Sequence, residues 1–300
     1  MEERSSEKHV RWEKKGHIAT IVLNRPEKLN PYSLKLVQDL NEALDGLEND
    51  DDIKVVIIKG AGRAFCAGAD LGEVYRMYGG APGGRRPSER IRLQTDRRIS
   101  SELQRRVFLF PKITIAQIHG YCIGLGALLA YCCDFLIAAE DASIGHTEQR
   151  LGFSGTSMLF ALLVGRVGLT RAMDLLIPGK LISGKEAQSI GLVTLATPQD
   201  RLEKVVETRA QEIAALPRDG LAIGKAMRQI EYGNLGLLSS FETGYVGHTF
   251  WTNLRWEEDE FNFVREREKI GVKAAIKARD ALWHGTSLRS DAIAKGEIKE

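Results

Sequence analysis

Two short glycine-bearing segments constrain this chain more than anything else in it. The first is Ala64-Phe65-Cys66-Ala67-Gly68-Ala69-Asp70-Leu71. The second is His119-Gly120-Tyr121-Cys122-Ile123-Gly124-Leu125-Gly126, with an apolar continuation as far as Asp134. Each follows a β-branched apolar run and leads into a helical pattern, so each offers free backbone N–H groups at a helix start. Two such turns can converge on one oxygen. Glu148, in Ile144-Gly145-His146-Thr147-Glu148, would supply a carboxylate nearby. Such a set suits carbonyl polarisation with proton transfer beside it.

The segments sit in an alternating α/β pattern. His17 to Leu23 reads as a strand by its β-branched content and ends at Asn24-Arg25-Pro26. From Ser33, placed as an N-cap, the apolar positions Leu34, Val37, Leu40, Leu44 and Leu47 recur at helical spacing. Val55 to Ile58 is a continuous apolar run, as expected of a strand covered on both faces. Strand, helix, strand implies a parallel crossover. Residues 79–90 hold four glycines and two prolines and read as a surface loop. Ile99, Leu103 and Val107 predict a helix stopping before Pro111. Ile113 to Ile118 and Phe135 to Ala139 predict covered strands, with a buried helix over Ala127 to Cys133 between them.

Helices are expected over Met158 to Val164, Arg171 to Ile177 and Gly184 to Gly191, with Val193 starting a short strand. Further helical patterns cover 201–215 and 220–231. From Leu235 the chain reads as helical and holds Phe241, Tyr245, Phe250, Trp251, Trp256, Phe261 and Phe263. Burial against another subunit is the natural outlet for so many large apolar side chains. The predicted organisation is a loose tail over 1–9, an α/β core over 10–200 and a helical oligomerisation region over 201–300.

Charge excludes some partners. Lys and Arg number 42 against 40 Asp and Glu, and a net charge of +2 gives no electrostatic reason to expect nucleic acid or a membrane surface. The four cysteines, at 66, 122, 132 and 133, lie in glycine turns or apolar runs and lack metal-site spacing, so packed thiols and no metal are expected. No stretch reads as a signal peptide or a membrane span, and a cytoplasmic location is the default expectation.

The chain resembles the enoyl-CoA hydratase/isomerase (crotonase) superfamily over roughly residues 10–285. The resemblance rests on Leu23-Asn24-Arg25-Pro26-Glu27-Lys28-Leu29-Asn30, Arg63 to Leu71, Gly120 to Gly126 with Cys133-Asp134, and Gly271-Val272-Lys273-Ala274. It implies an α/β fold, a spiral of ββα units with a C-terminal helical trimerisation region, and trimers or dimers of trimers. It also implies an acyl-CoA thioester substrate and no cofactor, coenzyme A being part of that substrate. On this resemblance the Ala69 N–H is the first oxyanion donor. The second falls on the Leu125 N–H, where the family usually has glycine. Glu148 matches the glutamate closest to universal for acid/base work.

The other family glutamate falls on Leu128, which leaves one carboxylate. His146 stands where the family more often has glutamine, and Thr147 where it has proline; the histidine is either a second acid/base or a pocket wall. Phe153 to Thr156 replaces a proline- and glycine-containing turn. By the same resemblance Lys28, Leu29 and Ala67 belong to the coenzyme A region. Gly68, Asp70, Leu71, Gly124 and Leu128 would join them around the substrate. Trp283 and Lys277 match the part of the family that covers coenzyme A in a neighbouring subunit. Hydration of an α,β-unsaturated acyl-CoA is the default activity. Double-bond isomerisation, hydrolysis of a cyclic β-keto acyl-CoA and non-catalytic acyl-CoA binding are the alternatives.

Overall fold

Residues 8–73, 87–152, 160–250 and 256–282 are described by the structure, a computed structural model. The chain opens with a hairpin of Val10–Lys15 (β1) and Ile18–Leu23 (β2), turned at Gly16 with φ +60°. Leu34–Glu48 (α1) follows, and the Ser33 side chain accepts the Leu36 N–H at 3.1 Å as its N-cap. Leu36, Leu40, Leu44 and Leu47 on its inner face are fully buried. Val55–Gly60 (β3) then pairs with β2 in parallel, as the strand–helix–strand pattern requires.

Glu89–Arg97 (α2) runs into a π turn, Arg98–Glu102, and continues as Leu103–Phe108 (α3). The predicted helix before Pro111 is therefore longer than its apolar spacing suggested, and it widens where Ile99 falls. Two units of similar plan follow. Ile113–Ile118 (β4) and Tyr121–Ile123 (β5) lead into Leu125–Tyr131 (α4). Phe135–Ala139 (β6) and Ser143–Gly145 (β7) lead on to Phe160–Val167 (α5). In each unit the first strand joins one sheet and the second joins another, which is the ββα spiral.

Leu169–Leu176 (α6), Leu181–Ser183 (β8), Gly184–Ser189 (α7) and Leu195–Thr197 (β9) complete the core. The sheets have the orders β1-β2-β3-β4-β6-β9 and β5-β7-β8. Val193 lies before β9 rather than in it, because its N–H turns back to Ala187 O. Leu202–Ala214 (α8), Arg218–Asn234 (α9), Ser239–Phe250 (α10), Phe263–Ile270 (α11) and Val272–Ala281 (α12) follow.

Two rings of the aromatic C-terminal region find their cover within the chain rather than on another subunit. Phe241 and Phe263 are buried within the chain, and Phe108 packs on Tyr232 and Phe241 with centroids 5.0 and 5.5 Å apart. Phe250 remains 68% exposed, and Trp251 lies outside the described residues. All four cysteines are buried free thiols. No helix among the described residues is long and apolar enough to cross a membrane, and no group of three metal-ligating side chains occurs among them.

Candidate active site

The first glycine turn is held by the segment before α1. Leu29 and Asn30 adopt consecutive left-handed conformations, φ 63° and 53°, which cost a leucine more than an asparagine. The buried Asn30 side chain offsets that cost. Its Oδ1 accepts the Arg25 N–H, and its Nδ2 donates to Ala61 O and Ala64 O, all at 2.8 Å. Leu29 O then accepts the Ala67 N–H at 3.0 Å. Tyr32 N–H donates to Gly68 O at 2.8 Å, and Tyr32 O accepts the Asp70 N–H at 2.9 Å. Ala69, bracketed by these two bonds, keeps an N–H with no acceptor among the described residues.

The second turn lies directly beside the first. Cys66 and Cys122 form a parallel bridge, with Cys66 N–H to Tyr121 O and Ile123 N–H to Cys66 O, both 3.0 Å. Ala69 and Leu125 each lie three residues beyond this pair, so two parallel segments deliver them side by side. Glycine permits the approach. A Cβ on Gly68 would stand 3.0 Å from Ile123 O, and one on Gly126 would strike Cys66 O at 2.5 Å. Leu125 is the first residue of α4, so its N–H has no intrahelical acceptor, and none is found among the other described residues.

Glu148 opens a short 3-10 turn, Glu148–Leu151, that follows β7. Its carboxylate lies over the second glycine turn: a Cβ on Gly124, whose φ is +56°, would fall 2.4 Å from Oε1. Oε2 is fully out of solvent with no hydrogen-bond partner among the described residues, while the side chain as a whole keeps 25% of its area exposed. Burial pushes the carboxyl up to about 7, opposed by hydrogen bonds from the backbone N–H groups at 148 and 147. His146 Nδ1 stands 3.8 Å from Oε2, too far for a hydrogen bond. Burial pushes that imidazole down to about 4, so it is neutral at pH 7. Its ring packs edge-on against Tyr131 with centroids 5.4 Å apart.

A pair of unclaimed amides beside a buried, protonatable carboxyl is an arrangement for stabilising an enolate. The enoyl-CoA hydratase/isomerase family matches residues 13–231. The chain belongs to this family. A Bacillus subtilis protein named "Probable enoyl-CoA hydratase" is 36% identical over 274 residues, 89% of this chain and 95% of the relative. The 1,2-epoxyphenylacetyl-CoA isomerase of Escherichia coli is 31% identical over 232 residues, 76% of this chain and 85% of the relative. The crystal structure of an enoyl-CoA hydratase from Mycobacterium smegmatis superposes with a TM-score of 0.80 at 27% identity, covering 94% of this chain and 96% of that one.

Within this crotonase-fold member the predicted residues are distributed unevenly. Ala69, Leu125, Gly68, Gly124 and Glu148 come together as described. Leu128, on the next turn of α4, is 2% exposed, so the side chain there is apolar and buried. Asp70 is tied within the chain: its Oδ2 pairs with Arg25 Nη1 at 2.8 Å and its Oδ1 accepts the Gly72 N–H at 3.0 Å. Lys28 is exposed at the end of a short 3-10 turn, Pro26–Lys28, and Leu29 contributes its carbonyl to Ala67.

Leu71 packs in a small cluster with Leu151, Phe261, Phe263, Ala275 and Ile276, so α11 and α12 rest on their own chain beside the first glycine turn and the Glu148 turn. A Cβ on Gly152 would meet Trp256 Nε1 at 2.7 Å, which places that indole against the same edge. Lys277, on α12, is exposed. Trp283 and Phe153 to Thr156 lie outside the described residues. Sequence reasoning missed Asn30, Tyr32 and the Arg25–Asp70 pair. The only signal for them was their position inside the first two matching motifs or, for Tyr32, just beyond the first.

Proposed function

We propose that the protein hydrates an α,β-unsaturated acyl-CoA thioester, using the Ala69 and Leu125 N–H groups as oxyanion donors and Glu148 as its single acid/base. The observation that supports this most is the Glu148 carboxyl lying over Gly124, beside the free Leu125 N–H, with its acidity weakened to near neutrality. In hydration one carboxyl suffices. It accepts a proton from the attacking water as that oxygen bonds to the β carbon, and a proton passes from the carboxyl to the α carbon. The two amides hold the negative charge on the thioester oxygen meanwhile, a contribution of several kcal/mol on the order of about 3 per donor.

The buried Leu128 favours a second reading, isomerisation of a 3-enoyl thioester. There Glu148 removes the α proton, the double bond moves into conjugation and the same carboxyl returns the proton at the γ carbon. The enzyme needs no cofactor beyond the coenzyme A carried by the substrate, and neither nucleic acid nor membrane enters the reaction. It works in the cytoplasm as a homotrimer or a dimer of trimers, for which sedimentation velocity is the direct check.

Conjugated thioester absorbance separates these reactions. With crotonyl-CoA it falls on hydration, and with a 3-enoyl-CoA it rises on isomerisation. Glu148→Gln is expected to lose turnover with either substrate by at least about a hundredfold while coenzyme A binding persists. Unchanged turnover in the variant would remove Glu148 from the mechanism.

A further inference from the structure

Among the described residues, Tyr32 is the only one whose backbone brackets the Ala69 amide on both sides. Its N–H holds Gly68 O and its C=O holds the Asp70 N–H, at 2.8 and 2.9 Å. Successive amides of an extended segment point to opposite edges, so this bridge directs the Ala69 N–H away from Tyr32. What fixes Tyr32 itself lies deeper. Its side chain is 2% exposed, and its hydroxyl donates to Ile99 O at 2.9 Å.

Ile99 belongs to the π turn of Arg98–Glu102, the one place where the α2–α3 helix widens. That turn is anchored in its own right, because the Ser101 hydroxyl donates to Phe241 O on α10 at 2.8 Å. Gln104, fully buried, lies beside the same phenol, yet its amide makes no well-formed hydrogen bond among the described residues. The Tyr32 hydroxyl is therefore the polar tie between the donor segment and this helix.

We propose that Tyr32 is a positioning residue for the reaction. Its hydroxyl, bonded to the π turn, fixes the segment that aims the Ala69 N–H at the thioester oxygen. The inference rests on the assignment of Ala69 as an oxyanion donor. It also accounts for a tyrosine at a buried position: the ring fills the core, and the hydroxyl repays its burial by making one directional bond. A phenylalanine would fill the same space without the tie.

The test is Tyr32→Phe, read by the carbonyl stretch of bound butyryl-CoA carrying carbon-13 at the thioester carbonyl. This saturated probe does not react, so the readout is independent of which reaction the enzyme performs. The wild type is expected to shift the stretch to lower frequency than in water. In Tyr32→Phe that shift should shrink, kcat should fall about tenfold and KM should stay within about twofold.

Thermal unfolding of the same sample confirms that the signal comes from folded protein. A folded variant with the full shift and unaltered kcat overturns the positioning role while leaving the donor assignment intact. A wild type that shows no shift overturns the donor assignment, and the inference falls with it. A variant in which KM rises while kcat and the shift hold would mark Tyr32 as a determinant of binding and likewise overturn the proposal.

Discussion

Glu148 shows how one environment sets both chemistry and stability. With a carboxyl pushed up to about 7, the pH profile of kcat/KM is expected to bend once near neutrality. Hydration and isomerisation both begin with the Glu148 carboxylate accepting a proton, so kcat/KM is expected to rise through that point in either case, and a fall there would overturn its role as the base. His146, held down to about 4, should add no inflection between pH 5 and 9, and His146→Asn should leave the bend in place.

The same shift acts on folding. The folded state keeps its Glu148 proton more tightly than the unfolded chain, whose carboxyl titrates near 4.5. The penalty is therefore absent below pH 4.5, grows through neutrality and is full above about 7. Glu148→Gln is expected to be more stable than the wild type at pH 8, by about 2 kcal/mol after allowing for the partly exposed side chain, and no more stable at pH 4. Denaturant titrations at the two pH values check this.

At the scale of elements the site depends on two turns approaching closely. Gly126→Ala places a methyl 2.5 Å from Cys66 O and 2.6 Å from Cys66 Cβ. Alanine suits a helix better than glycine, but this clash outweighs the gain. The variant is expected to lose about 2 kcal/mol of stability and at least about a hundredfold in kcat, both measurable on purified protein.

These turns and the longer strands were legible in the sequence because their signals are local. β4 and β6 lie where their apolar runs predicted, and Ser33 caps α1. The edge strand β1 escaped notice because only Val10 of its six residues is buried, so it shows no hydrophobic alternation. The three-residue strands β5, β7 and β8 are too short for any period to register. The free amides were expected from the two turns, but the closeness of Glu148 to Gly124 and the Tyr32 bridge are long-range geometry, and no spacing along the chain encodes them.

The whole molecule is tied across its layers by a few buried polar contacts. Lys225 on α9 donates to Asp134 Oδ2 and to Lys112 O, both at 2.6 Å, and the same Oδ2 accepts the Thr114 N–H at 2.7 Å. With Lys225 only 2% exposed, Lys225→Met leaves the Asp134 charge without its counterion. The expected loss is about 3 kcal/mol in chemical denaturation, with kcat unchanged because the pair lies outside the site.

The four cysteines have a further use. Each thiol is sealed in the core, and burial pushes Cys66 and Cys133 up to about 12, so neither accessibility nor ionisation favours attack on an alkylating reagent. Iodoacetamide added to the native protein would therefore label only those molecules that have momentarily opened. The rate of modification, followed by mass spectrometry, gives the interior a built-in clock for how often the two sheets come apart.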